Sequence, residues 1–237
     1  MSTLLYIDTS GPDALIGISQ GQQILAFKQN SVSHSHAEFV QAGIQDMCKE
    51  VNIPLTAIDA VVVTLGPGSY TGLRVGLASA KGLAYALNKP LIGLSTLALL
   101  AKAAIREITK DGKEKMVTSY QIFSMIDAKR MEVFGGIFDQ ALQIIEPEKA
   151  YIIEESLITR LLQQGPLICI GSGVAKTKEL TQVPSFQSTS TLFLNNNYSL
   201  ADMLALALVK WENKKFENLA YSSPSYLKEY YLKPLIK

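Results

Sequence analysis

The chain has 237 residues, of which 48% are hydrophobic and 18% are charged, and its formal net charge at pH 7 is +1. This length and hydrophobic content allow one large domain or two smaller lobes with an extensive core. The near-neutral charge excludes a chain-wide field that attracts nucleic acid, so any RNA contact requires a local patch or a partner. No stretch approaches the roughly twenty apolar residues of a membrane span.

The cysteine pattern indicates a reducing compartment. Cys48 and Cys169 are far apart in the sequence, and neither lies in a C-x-x-C context. Isolated cysteines of this kind are typical of buried free thiols. The short apolar run near the N-terminus has no basic region before it, unlike a secretory signal. We therefore expect a cytoplasmic protein.

The first half of the chain predicts an α/β lobe. Three short apolar runs separated by turn residues indicate an antiparallel meander, at residues 3–7, 14–19 and 24–28. Ser35 and Glu38 have the spacing of a capping box, and the apolar residues that follow predict a helix over 36–51.

The remainder of this half alternates between strand and helix patterns. We predict a strand at 60–64, a helix at 70–87, a strand at 91–93 and a helix from 95 to about 108. The resulting order, β-β-β-α-β-α-β-α, is typical of an α/β fold.

The second half begins with a similar pattern after the charged linker 110–115. A second meander is predicted at 121–126, 132–138 and 143–145, and Ile126-Asp127 repeats the Ile7-Asp8 dipeptide near the end of its first strand. This echo suggests an internal duplication.

The elements after this meander are weaker. We predict a helix near 156–163, a strand at 167–170, an irregular Ser/Thr-rich stretch and a helix from 199 to about 214. The predicted domains are therefore an N-terminal lobe, 1–109, and a reduced C-terminal lobe, 116–237.

The most specific motif joins the strand at 60–64 directly to the helix at 70–87, with no long polar loop between them. Its structural residues are Gly66, Pro67, Gly68, Ser69, Thr71 and Arg74. The glycines permit close backbone approach, and Ser69 or Thr71 can cap the helix. The spacing matches neither the dinucleotide fingerprint, nor the Walker loop, nor a hydrolase elbow. Two interpretations remain open, a phosphate-binding helix N-terminus and a tight turn that only packs.

Several motifs together resemble the bacterial TsaB family, also called YeaZ. They are Ile7-Asp8-Thr9-Ser10 and the stretches 66–76, 93–97 and 223–227. The resemblance spans nearly the whole chain. It implies a duplicated actin-like ATPase fold of ribonuclease H-like type, with a reduced second lobe. It also implies a role in making threonylcarbamoyladenosine beside the anticodon of tRNA.

Within that pathway, the resemblance implies an accessory rather than a catalytic subunit. The paralogue TsaD, which transfers the threonylcarbamoyl group, carries a metal-binding H-x-x-x-H in the stretch that matches Thr96 to Leu100 here. This stretch is apolar and offers no metal ligand. The only histidines, His34 and His36, are more typical of surface residues than of a metal pair. We expect no metal, no catalytic residues and, despite the older glycoprotease label, no protease activity.

The helices predicted at 36–51 and 70–87 are the candidate partner surface. On the residues alone, their apolar positions favour internal core. The resemblance instead implies a helical bundle with TsaD, assembly with TsaE and tRNA, and a homodimer when the chain is isolated. The candidate interface residues are Phe39, Val40, Ile44, Met47, Gly72, Leu73, Gly76, Leu77 and Ala80.

The remaining expectations concern nucleotide and RNA. Actin-like folds bind ATP between their lobes, so the resemblance makes Asp8, Thr9 and Ser10 the candidate phosphate-side residues, and Gly171-Ser172-Gly173 a remnant of the adenosine loop. We expect that this chain requires no cofactor of its own, with ATP possible at the assembled complex. The alternative function is a nucleotide-dependent small-molecule phosphotransferase of the actin-like kinase type. The C-terminal tyrosines and lysines could bind RNA, but their spacing among prolines favours a tail that packs on the domain.

Overall fold

The computed structural model describes residues 1–31, 36–110, 119–181 and 191–228. Four predicted features lie wholly or largely outside these residues. They are the Ser35 cap with its neighbour His34, the charged linker, the Ser/Thr-rich stretch at 182–190 and the tail after 228.

The first lobe has the predicted order of elements. Its strands are β1 (Thr3–Asp8), β2 (Ala14–Gln20), β3 (Gln23–Asn30), β4 (Ala60–Gly66) and β5 (Leu91–Ser95). Its helices are α1 (His36–Glu50), α2 (Tyr70–Leu87) and α3 (Thr96–Lys110), with a 3-10 turn at Leu55–Ala57. The sheet order is β3-β2-β1-β4-β5, with β1 antiparallel to β2 and parallel to β4.

The second lobe repeats this arrangement. Its strands are β6 (Gln121–Asp127), β7 (Glu132–Asp139), β8 (Ile144–Ile152), β9 (Leu167–Ile170) and β10 (Thr191–Leu194), and its helices are α4 (Glu155–Gln163), α5 (Val174–Thr181) and α6 (Leu200–Glu212). The sheet order, β10-β9-β6-β7-β8, is that of the first lobe read from the opposite edge. The predicted duplicated, actin-like fold class is confirmed.

Three elements of the second lobe differ from the prediction. Helix α5 and strand β10 lie where the pattern predicted irregular chain, and β8 is longer than predicted at 143–145. The two missed elements have only 8 and 4 residues, too few for a clear periodic signal. Pro147 within β8 is tolerated because this strand lies at the edge of its sheet. The second lobe therefore retains a counterpart of each strand and helix of the first lobe, and its reduction is confined to shorter helices and to the short strands β9 and β10.

The last helix of each half covers the sheet of the other half. Leu97, Leu100 and Ala104 of α3 pack with Ile122 and Ile170 of the second sheet. Helix α6 packs against the first sheet in the same way, through the cluster Leu4, Tyr6, Val62, Ile92, Met203 and Leu204. Each lobe therefore buries apolar side chains of the other, and this burial stabilises the contact between the lobes.

A polar contact accompanies this exchange. Arg106 of α3 donates to Ser199 at 2.7 Å and to Asp202 at 2.5 Å, and both acceptors belong to the capping box of α6. The beginning of α6 is thereby held against α3.

The C-terminal segment 217–228, here called the strap, lies along the first lobe. Its Glu217 N–H donates to Leu91 O at 2.8 Å, and its Ser225 N–H donates to Leu65 O at 2.7 Å. Lys81 of α2 donates to two strap carbonyls, those of Ala220 and Ser222, at 3.1 Å each. The prediction that the tail packs on the domain is confirmed as far as residue 228. No helix in the described ranges is long and apolar enough to cross a membrane.

Candidate functional site

The glycines of the motif between β4 and α2 accommodate the turn that follows β1. A Cβ atom at Gly68 would lie 2.4 Å from Ser10 O, and one at Gly72 would lie 2.0 Å from Thr9 O. At Gly76 the nearest atom would be Thr9 Oγ1, at 2.2 Å. These distances are too short for a Cβ atom, so the backbone of Ser10 and Thr9 requires glycine at 68 and 72, and the Thr9 side chain occupies the space beside Gly76.

Hydrogen bonds hold the same two segments together. The Ser69 N–H donates to Ser10 O at 2.7 Å, and Thr9 Oγ1 donates to Gly72 O at 2.7 Å. Ser69, rather than the exposed Thr71, caps α2 by accepting from the Gly72 N–H at 3.2 Å. These contacts account for the motif as a tight packing turn.

The end of β1 forms a closed polar corner. Asp8 is 5% exposed, and its Oδ1 accepts from the Ser10 N–H at 2.9 Å and from Thr64 Oγ1 at 2.7 Å. Its Oδ2 accepts from the Tyr198 hydroxyl at 2.6 Å, and that hydroxyl also lies 2.8 Å from Ser10 Oγ. Burial, and then the Asp8 charge, raise the pKa of Tyr198 well above its usual value, which keeps the hydroxyl a donor. The candidate phosphate-side residues Asp8, Thr9 and Ser10 are therefore buried and bonded within the protein.

Sequence reasoning did not identify Tyr198 as part of this corner. It lies 190 residues from Asp8, between a run of three asparagines and the cap of α6. No local pattern links a tyrosine in this context to a carboxylate in the first strand. Only the approach of the second lobe brings the two side chains together.

A cleft of about 1000 Å³ lies between the lobes. Its walls include Ser10, Gly68, Thr96, Asp127, Ser172 and Tyr198, and its lining contains no lysine or arginine. A nucleoside triphosphate carries several negative charges, and its binding site needs cations or free backbone N–H groups. The described lining therefore offers no side-chain cation to a triphosphate.

The predicted adenosine-loop remnant is also used internally. A Cβ atom at Gly171 would lie 2.1 Å from Met125 O, so this glycine allows the turn to pack closely on β6. Ser172 Oγ accepts from the Asp127 N–H at 3.0 Å. This turn therefore fastens β9 to the end of β6.

The candidate partner-interface residues require a correction. Eight of the nine are buried in this chain's own fold, namely Val40, Ile44, Met47, Gly72, Leu73, Gly76, Leu77 and Ala80. The buried apolar side chains of α1 and α2 pack with β1, β2 and β4 in one core cluster, and Phe39 is half-buried at its edge. Apolar positions of an amphipathic helix face its own core, so the opposite faces of these two helices are the ones exposed to solvent. The core interpretation applies to these residues.

The exposed sides of α1 and α2 carry charged residues, such as Glu38, Asp46 and Arg74, beside a set of uncharged residues that is here called the α1–α2 face. It consists of Ala37, Gln41, Gln45, Ala78, Gly82 and Ala86, all exposed. The two helices meet where Gln41 Nε2 donates to Ser79 Oγ at 3.3 Å. A Cβ atom at Gly82 would have no atom within 4 Å, so the fold of this chain does not require a glycine there.

Arg74 connects the glycine motif to the strap. Its guanidinium carbon lies 4.0 Å from the centre of the Tyr70 ring, and its Nε donates to the Tyr226 hydroxyl at 3.0 Å. The rings of Tyr70 and Tyr226 are 5.2 Å apart. Two motifs separated by about 150 residues, 66–76 and 223–227, therefore form one structural unit.

Comparison with known proteins assigns the chain to a family. The family model described as "TsaD: tRNA N6-adenosine threonylcarbamoyltransferase" matches residues 28–233. The tRNA threonylcarbamoyladenosine biosynthesis protein TsaB of Escherichia coli K12 is 27% identical over 201 residues, which are 81% of this chain and 80% of that protein. The solved structure of YeaZ from Pseudomonas aeruginosa superposes with a TM-score of 0.77 at 26% identity, covering 96% of this chain and 100% of that chain. This chain belongs to the TsaB (YeaZ) family.

A third similarity, to a transferase, is confined to a short part of the chain. A tRNA N6-adenosine threonylcarbamoyltransferase of Clostridium botulinum is 49% identical, but over only 63 residues, 27% of this chain and 18% of that protein. In the present chain, the apolar stretch from Thr96 to Leu100 forms the start of α3, and Thr96 and Leu100 line the cleft. Across the described ranges, no three His, Cys, Asp or Glu side chains form a group that could hold a metal ion.

Proposed function

We propose that this protein is a non-catalytic subunit in the biosynthesis of tRNA threonylcarbamoyladenosine. In this role it binds a TsaD-type transferase and, together with TsaE, supports transfer of the threonylcarbamoyl group to the adenosine beside the anticodon. Family membership supports the pathway, because the relatives from Escherichia coli and Bacillus subtilis, matched over 80% and 75% of their length, carry it in their names. We also propose that the protein works in the cytoplasm, where this modification takes place.

The composition of the α1–α2 face supports the proposal that the protein binds a partner. Its residues on α2 are all alanine or glycine, and none of its six residues is charged. Small side chains let a second helix approach closely, and an uncharged face costs little desolvation energy on binding. The surface fits a pair of helices from a related fold, and a second copy of this chain could use it when the transferase is absent.

The proposed subunit needs no nucleotide of its own. Tyr198 fills the corner at Asp8, and the cleft lining carries no cation for a triphosphate. We therefore place any ATP requirement in the assembled complex. These contacts do not support the alternative function, a phosphotransferase. Turnover of ATP by the chain alone would indicate that alternative.

The decisive test is reconstitution of the modification. TsaD and TsaE are supplied with threonylcarbamoyl-adenylate, ATP and tRNA, with and without this chain, and modified adenosine is measured. We expect transfer to require the chain, while the chain alone neither transfers nor hydrolyses ATP. Equal transfer without the chain would refute the subunit role.

A substitution at Gly82 tests the surface itself. Gly82→Leu places a branched side chain in open space on the α1–α2 face, so the monomer should remain folded while binding to TsaD falls by at least tenfold. Thr159→Leu is the matched control, because it adds the same side chain to an exposed helical position in the second lobe. Binding is measured by titration calorimetry. Unchanged affinity in folded Gly82→Leu would place the interface elsewhere.

A further inference from the structure

Two cations project from a loop at the mouth of the cleft. Lys129 and Arg130 lie in the β6–β7 loop, directly after Asp127 and Ala128, and both are exposed. Their φ values are 65° and 52°, in a region that favours Asn and Gly over long side chains. No acidic side chain among the described residues forms a salt bridge with either of them. The fold thus holds two positive charges in an unfavourable conformation without using them for an internal ion pair.

Two neighbouring cations already neutralise the nearby carboxylates. Lys176 of α5 forms an ion pair with Asp127 and donates to Glu132 O at 2.8 Å. Lys228, at the end of the strap, forms an ion pair with Glu132. Lys176 and Lys228 are the main cause of the lowered pKa values of Asp127 and Glu132, and Lys129 and Arg130 add only a smaller Coulombic attraction to these carboxylates. Because both side chains are exposed, they can still contact an external anion.

The same cationic surface continues along the strap to α2. Tyr226, two residues before Lys228, is the residue that contacts Arg74 and Tyr70. We call the set Arg74, Lys129, Arg130, Lys176 and Lys228 the cationic rim. With the two carboxylates Asp127 and Glu132, its five cations give a local charge of +3, whereas the whole chain carries +1. Positive charge is therefore concentrated on this side of the cleft.

We propose that the cationic rim contacts the phosphate backbone of tRNA. This inference rests on the proposed function, because it places the RNA beside this subunit in the assembled complex. RNA fits the rim better than an acidic peptide does, because it repeats a phosphate at every nucleotide, matching cations distributed along an edge. Tyr70 and Tyr226 are 36% and 45% exposed within the rim and add aromatic surface for ribose or base contacts. Because the whole chain carries a net charge of only +1, the chain alone should bind tRNA weakly, and the assembled complex should bind it more tightly.

A double substitution in the loop isolates the charge. Lys129→Asn with Arg130→Gly removes two cations and introduces residues that prefer positive φ, so the variant should fold at least as well as the wild type. Lys214→Asn with Lys215→Asn is the matched control, because Lys214 is also an exposed lysine with positive φ, at 52°. This control pair lies next to the Glu217 contact at the start of β5, at the end of the first sheet opposite the cleft.

The measurement is tRNA binding by the complex with TsaD and TsaE at several salt concentrations. The loop variant should reduce the slope of log affinity against log salt by about 1.4–1.8, the loss of two phosphate contacts, without lowering the melting temperature. The control variant should keep the wild-type slope. An unchanged slope in the loop variant, with the complex intact, would overturn the proposal.

Two further outcomes separate the rim from the proposed function. If the loop variant no longer joins the complex although the wild type does, the rim is a protein contact and the RNA proposal fails. If the wild type does not join TsaD at all, the proposed function fails, and the RNA proposal is then tested by salt-dependent tRNA binding to the chain alone. Binding by the wild type that is lost in the loop variant would support the RNA proposal. No binding by the wild type would overturn the RNA proposal.

Discussion

The corner at Asp8 predicts that a single hydroxyl contributes strongly to stability. Tyr198→Phe removes the donor to Asp8 Oδ2 and the neighbour of Ser10 Oγ, and leaves the ring in place. Asp8 is 5% exposed, so water cannot readily replace the lost donor. Loss of a buried hydrogen bond to a charged group costs about 2–3 kcal/mol. For a chain of this size, that corresponds to a fall of roughly 4–12 °C in the melting temperature.

Urea denaturation followed by circular dichroism measures the free energy of unfolding of the variant. Tyr221→Phe is the matched control, because Tyr221 is 85% exposed and its side chain has no assigned role in the fold. Its unfolding free energy should change by less than about 0.5 kcal/mol. A change equally small in Tyr198→Phe would show that Asp8 does not depend on this hydroxyl, and would refute the account of a closed corner.

Three other predictions follow from particular contacts. Gly72→Ala should destabilise the protein by about 1–3 kcal/mol, because the added Cβ overlaps Thr9 O, whereas Gly82→Ala on the same helix should stabilise it by up to about 1 kcal/mol; urea denaturation of both variants checks the contrast. Burial raises the pKa of Glu148 above its unfolded value of 4.5. The charged form of Glu148 therefore opposes folding as the pH rises above 4.5. Glu148→Gln should accordingly be more stable than the wild type at pH 7 but not at pH 3.5. Equal stability differences at the two pH values would contradict this origin. Arg74→Ala removes the contacts to Tyr70 and Tyr226, and limited proteolysis should then cleave the strap several times faster than in the wild type; an unchanged rate would show that other contacts are sufficient to hold the strap.

The order of helices and strands in the first lobe followed from the sequence, because it depends on local patterns. Hydrophobic alternation marked the meander, and Ser69 next to glycine marked the start of α2. Prediction was weaker in the second lobe, where α5 and β10 are too short for a periodic signal. The family was recognisable because its motifs are contiguous stretches of sequence.

The site depended on information that no local pattern contains. Sequence could place Gly68 and Gly72 in a tight turn, but only the packing of that turn on Thr9 and Ser10 showed what the glycines accommodate. The apolar residues of α1 and α2 were visible in the sequence, yet the face turned toward solvent was decided by the sheet beneath them. Likewise, Tyr198 meets Asp8 across 190 residues. Periodicity and capping act within a few residues, whereas burial and hydrogen bonding between distant segments are set only when the chain has folded.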